Sequence, residues 1–172
     1  MLSDKMQAAL NNQLNAELHS AYIYLSMSAY FEDKNLRGFA NWMRVQAQEE
    51  MFHSMKFYNF ILERRGRVLL QPIAAVPTDW ASPMEVFQEA LKHEQKITGL
   101  IHNLVDLALQ EHDHPANSFL QWFVDEQVEE EANADAVVQQ LTLAANSGAA
   151  LLMLDREMAA RVFTPPAAGG EA

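Results

Sequence analysis

Apolar residues recur along this chain at helical spacing, in long blocks separated by polar turns and by stretches that carry glycine or proline. The first block, Ser3–Phe31, predicts a helix that Ser3 or Asp4 can cap. After a polar turn at Glu32–Leu36, the pattern resumes at Arg37 and predicts a second helix to Arg65, stopped at Gly66. Gly66–Ala81 carries Pro72 and Pro77 and has little periodicity. A hairpin needs only a few residues to turn back, whereas roughly 16 can travel the length of a long helix. The segment therefore predicts an overhand crossover. Ser82-Pro83-Met84-Glu85 sets out a cap, a first-turn proline and a capping-box glutamate for a third helix to about Gln110. The His112-Asp113-His114-Pro115 turn follows, then a fourth helix over about Ala116–Ala145, a break at Gly148 and a shorter helix over Ala149–Val162. The expected architecture is all-α: a four-helix bundle with one long crossover plus a short fifth C-terminal helix, up-down-down-up. Residues 1–163 form this unit, and 164–172 a flexible tail.

Steps of four and three trace one seam on each long helix. They run Leu10-Leu14-Glu17-Ala21-Tyr24-Ser28-Phe31, Phe39-Met43-Gln46-Glu50-His53-Phe57-Phe60, Phe87-Ala90-Glu94-Ile97-Ile101-Leu104-Ala108 and Leu120-Phe123-Gln127-Glu130-Ala134-Val137-Leu141. Each seam is apolar at its ends and polar in its middle, the reverse of a surface helix with its acids on the far face. Counted from the first turn at 1.5 Å per residue, Glu17 and Glu50 fall within about 3 Å of one level, and Glu94 and Glu130 within about 5 Å of another. The crossover then has only to set the two hairpins at matching height.

Composition narrows the chemistry. The 172 residues are 49% hydrophobic, enough for a sizeable core, with 12 basic residues against 23 acidic and a net charge of −11. That balance argues against nucleic acid as a partner and suits cations. The absence of cysteine excludes disulfides, thiolate zinc sites and cysteine nucleophiles. Met1–Leu10 lacks the basic and apolar stretches of a signal peptide, and no run approaches the ~20 apolar residues of a membrane span. The expectation is a cytoplasmic protein with no membrane partner. Four glutamates in one core must either stay protonated or be neutralised by divalent metal. Carboxylates with one imidazole suit iron or manganese, and ligands on four helices can hold two ions.

The motifs Asn15-Ala16-Glu17-Leu18, Ala47-Gln48-Glu49-Glu50-Met51-Phe52-His53, His93-Glu94-Gln95 and Glu126-Gln127-Val128-Glu129-Glu130-Glu131 together resemble the bacterial non-haem ferritin family. The likeness runs from Met1 to about Arg161. It implies iron storage and detoxification: Fe(II) is oxidised by dioxygen or hydrogen peroxide at a diiron ferroxidase centre, and ferric mineral is kept inside a homo-oligomeric cage of 24 subunits. By that resemblance Glu17, Glu50 and His53 hold one iron, Glu50 bridges, and Glu94 and Glu130 hold the second with Gln127 close by. Glu49, Glu126 and Glu129 with a shared Glu130 would form a third site, and Tyr24 matches a tyrosine kept beside the centre. The apolar fifth helix matches one that packs around a four-fold axis in the family.

Two features depart from related patterns. Many diiron bundles carry Glu-x-x-His on two helices, whereas the fourth helix here has Gln127-x-x-Glu130, which favours a centre that iron leaves over a permanent cofactor. Acids that line a three-fold pore in animal relatives are missing from Ala116–Gln121. Haem is not expected, because Met51, beside Glu50, reads as packing. Glu111-x-x-His114 repeats the ligand spacing but lies at a turn, where it reads as a solvated end. Two rivals stand beside the cage subunit: a diiron oxidase that retains its metal, and a helical interaction protein with protonated core acids.

Overall fold

A computed structural model describes residues 2–145 and 147–165. Its helices are α1 (Asp4–Asp33), α2 (Arg37–Glu63), α3 (Pro83–Gln110), α4 (His114–Ala144) and α5 (Gly148–Met158), with no strand among the described residues. The tail expected over 164–172 lies, from residue 166 on, outside them.

The starts follow the expected chemistry. Ser3 accepts from the Met6 amide at 3.0 Å and Ser82 from the Glu85 amide at 3.2 Å, while Glu85 reaches back to the Ala81 amide at 2.5 Å. Helix α4 begins two residues earlier than expected, because Asp113 caps it through the Ala116 amide at 3.1 Å. The same carboxylate takes both prongs of Arg64, at 2.9 and 3.1 Å, which ties the end of α2 to the α3–α4 turn.

The stops differ from expectation in an instructive way. Helices α1, α2 and α3 each end on a left-handed residue, Asn35, Arg65 and His112, with φ of 58°, 58° and 55°. The next amide then bonds five residues back, Leu36 to Phe31, Gly66 to Ile61 and Asp113 to Ala108, at 2.8–3.0 Å. Arg65, not Gly66, takes the left-handed turn. A Cβ on Gly66 would sit 2.9 Å from Leu2 Cδ1 and 3.0 Å from the Ile61 methyl, so glycine serves close approach there. Between α4 and α5 the break falls at Ala145 (φ 45°), and Gly148 is the first residue of α5, which Ser147 caps through the Ala150 amide.

Helix α5 stops four residues before the expected Val162. Asn41 of α2 donates to the carbonyls of Met158, Ala159 and Arg161, at 3.3, 3.4 and 2.9 Å, and draws the chain onto α2. In the other direction, Asp155 of α5 accepts from the Gly38 and Phe39 amides at 2.8 and 3.0 Å. It supplies the cap that Leu36, at the start of α2, cannot.

The crossover runs along α1. Asn11 holds Arg67 O and the Leu69 amide, and Ser26 donates to Pro77 O. From Asn11 to Ser26 is about 22 Å of helix at 1.5 Å per residue. Helix α2 is thereby parallel to α3, and α1 antiparallel to both α2 and α3. Every seam position is buried.

The apolar core is accordingly two clusters, not one. The first gathers Phe31, Phe39, Trp42, Trp80 and Phe87, and the second Leu10, Phe57, Ile101, Leu120 and Phe123. Between them lies a buried polar layer of Gln13, Glu17, Gln46, Glu50, His53, Glu94, Gln127 and Glu130, each at most 4% exposed.

Candidate metal centre

Each long helix sends one seam glutamate into this layer. Glu17 (α1) and Glu50 (α2) are 1% exposed, Glu94 (α3) 2% and Glu130 (α4) 4%. His53, one turn beyond Glu50, presents Nδ1 to Glu50 at 3.6 Å and Nε2 to Glu126 at 3.7 Å. Trp122 and Phe123 wall its ring edge-on at 5.4 and 5.9 Å. Two groups offer ligand atoms within 4.8 Å of one another: Glu17, Glu50 and His53, and His53, Glu126 and Glu130. These are the metal-capable groups among the described residues. Glu111 belongs to neither and accepts the Ser3 hydroxyl at 2.5 Å.

Amides and one phenol hold the carboxylates. Gln13 Nε2 donates to Glu17 at 2.8 Å, Gln46 Nε2 to Glu130 at 2.5 Å and to Glu50 at 3.3 Å, and Gln127 Nε2 to Glu94 at 3.2 Å. The Tyr24 hydroxyl donates to Glu94. Glu94 therefore faces Tyr24 and Gln127 and stands outside both three-residue groups. The second oxygen of Glu17 is buried and has no hydrogen-bond partner.

Burial raises the glutamates first, and each other's charge raises them further. Glu17 is pushed up to about 8 by burial and by Glu50, Glu94 to about 8 by burial and Glu130, and Glu130 to about 8 by burial and Glu50. Glu50 is raised by burial and Glu94. Burial alone would lower His53, but Glu126 and Glu50 outweigh it and hold the imidazole well above its ordinary value. Burial and Glu94 raise Tyr24. A layer in this state carries protons where a divalent cation would otherwise sit. Hard oxygen donors, one imidazole and an unpartnered carboxylate oxygen fit iron in that place.

The remaining expected residues lie at the rim. Glu126 is half-buried and joins His53 and Glu130. Glu49 is half-buried but paired with Arg161 at 2.5 Å, and Glu129 is exposed and in neither group. Several residues that shape the site had no role from the sequence. Gln13 lies four residues before Glu17 and Gln46 four before Glu50, a spacing that could have marked both as donors to those acids. His93 accompanies Tyr24 edge-on at 6.0 Å and meets the Ser20 hydroxyl at 2.8 Å. Burial first, then Lys96 and His19, hold His93 down to about 4, as a neutral ring.

Residues 7–144 match the ferritin-like domain family. The chain is 42% identical over 161 residues to the bacterial non-heme ferritin of Bacteroides fragilis, covering 94% of this chain and 100% of that one. It is 39% identical over 163 residues to the Staphylococcus aureus protein of the same name, covering 95% and 98%. Among solved structures, the open-pore ferritin of the hyperthermophilic archaeon Archaeoglobus fulgidus superposes with a TM-score of 0.94 at 49% identity, covering 94% of this chain and all of that one.

Proposed function

We propose, since the chain belongs to the ferritin family, that it oxidises Fe(II) in the buried polar layer and stores the ferric product inside a cage of its own copies. The observation that carries this reading is the layer itself: four glutamates from four helices, sealed between two apolar clusters, with one oxygen of Glu17 left unpartnered. Iron is substrate and cargo. Glu17, Glu50 and His53 are proposed to hold the first ion, with Glu50 between the two, and Glu94 and Glu130 the second with Gln127 beside it. When bound, each Fe(II) supplies one electron to the oxidant, dioxygen or hydrogen peroxide.

The chain's own groups do the rest. Carboxylates yield their protons as metal arrives, and their negative charge favours the ferric ion over the ferrous one. Gln46 and Gln13 keep the ligand oxygens aimed, and Tyr24 holds Glu94 within hydrogen-bond reach of an oxidisable phenol. Glu49, Glu126, Glu129 and Glu130 are proposed as a third, rim site, from which iron passes to the cavity.

Assembly has support in the surface. Tyr22, Leu25, Met51, Met55, Leu70 and Ile73, on α1, α2 and the crossover, are 44–68% exposed, and Leu152 and Met153 on α5 56% and 72%. These exposed side chains support the proposed subunit contacts. Twenty-four subunits, and a cytoplasmic location, are the arrangement proposed; no described helix is long and apolar enough to cross a membrane.

The test is anaerobic Fe(II) loading of apoprotein, then air, followed by absorbance and sedimentation. Fast saturable oxidation at two or three iron per chain, then uptake of far more into a large particle, is the expected result. Uptake that stopped at two per chain would favour a retained-metal oxidase, and no binding would leave a helical interaction protein. Glu50→Ala is expected to remove the fast phase while the particle persists, and Glu129→Ala to change the iron-to-oxidant ratio with the fast phase intact.

A further inference from the structure

The short segment beyond α5 reaches into the metal layer through one side chain. Arg161 stacks its guanidinium over Trp42 at 4.3 Å and donates to Trp42 O at 3.4 Å, to Gln46 Oε1 at 2.9 Å and to Glu49 at 2.5 Å. Three carbonyls of the same segment are held by Asn41, so the arginine is anchored at both ends. A guanidinium only donates. Gln46 must therefore turn its oxygen toward Arg161, which leaves its nitrogen for Glu130 and Glu50. Glu49 meanwhile spends a carboxylate oxygen on Arg161, in a pair whose side chains are about one-fifth exposed. A cation drawing on that oxygen has to displace a cation already there.

We infer that Arg161 is a positioning residue for the metal centre, a latch that withholds Glu49 from divalent cations and aims the Gln46 amide at Glu130 and Glu50. This rests on the proposed rim site. The buried pair of sites therefore fills first, and the rim fills only when metal outcompetes the guanidinium. Iron handling is thus ordered by a residue more than 100 positions from either partner in sequence.

Zn(II), which does not change oxidation state, is the probe, titrated by calorimetry into assembled apoprotein at pH 7. The wild-type chain is expected to show two tight sites and one weak one. Arg161→Gln should tighten the weak site about tenfold, while Arg161→Lys, which keeps a cation for Glu49, stays near wild type. Arg161→Gln combined with Glu49→Gln should lose the gain, a coupling that general loosening of the C-terminal segment would not produce. An unmoved third site in Arg161→Gln, a gain that survives Glu49→Gln, or an equal gain in Arg161→Lys would overturn the latch. Wild-type protein without the two tight sites would instead overturn the diiron reading, and the latch with it.

Discussion

Filling the metal layer should expel a countable number of protons. Glu17, Glu94 and Glu130 each sit at about 8 in the empty site. At pH 7 a group with that value is about 90% protonated, so the three hold close to three protons; at pH 9 they hold about 0.3 in all. Ordinary glutamates would hold almost none at either pH. Because the groups interact, the protons belong to the cluster, and the total is the quantity to measure. The raised Glu50 and His53 can only add to it. The assay is a pH-stat titration of apoprotein with Zn(II) to saturation, reading base consumed per chain. At least about three protons are expected at pH 7 and clearly fewer at pH 9, and Glu17→Gln should lower the first number by about one. Release below about one proton at pH 7 would refute the reasoning. So would release that grew toward pH 9, since that would come from water and not from the carboxylates.

The same protonation sets the stability of the empty protein. Each raised glutamate binds its proton more tightly folded than unfolded, so its contribution is complete below pH 4.5 and is lost as pH rises toward about 8. Apoprotein should melt lower at pH 9 than at pH 6, with Zn(II) abolishing most of the difference; a flat profile by calorimetry would count against buried acids. Tyr24→Phe removes a donor that holds Glu94 down, so the pH midpoint of Zn(II)-driven proton release should move upward, and an unchanged midpoint would deny that contact. Asp155→Ala uncaps α2 and should cost about 0.5–2 kcal/mol in thermal or denaturant unfolding, against no change if the cap is idle. A Cβ on Gly38 would lie 1.5 Å from Asp155 O, a backbone atom. Gly38→Ala should therefore displace α5, costing about 1–3 kcal/mol or more, and sedimentation should show impaired assembly; wild-type particles would show that α5 can shift freely.

The bundle and its polar layer are legible because one helical periodicity marks both. Helical spacing marked Leu10 through Phe31 and its three counterparts as inward faces, and the same count put Glu17, Glu50, Glu94 and Glu130 on those faces near mid-height. An acid on an apolar face breaks the rule that makes the face readable, so the exception and the rule were found together. Helix ends were harder to read. Gly66 is the residue a left-handed turn favours, yet Arg65 makes that turn, because the mainchain bond from Gly66 to Ile61 repays the strain and glycine is needed for space against Leu2. The C-terminal contacts carried no local signal at all. Asp155 caps a helix 117 positions away and Arg161 reaches Glu49 across 112. Each looks, in sequence, like one more charge on a short helix or its flank. What decides their role is where α5 docks, and that depends on Gly38 having no side chain and on Asn41 collecting three carbonyls. Residue types at a given depth follow from spacing alone, but which oxygen faces metal, amide or guanidinium follows from the partners. The order proposed for filling this site thus rests on contacts that only the folded chain assembles.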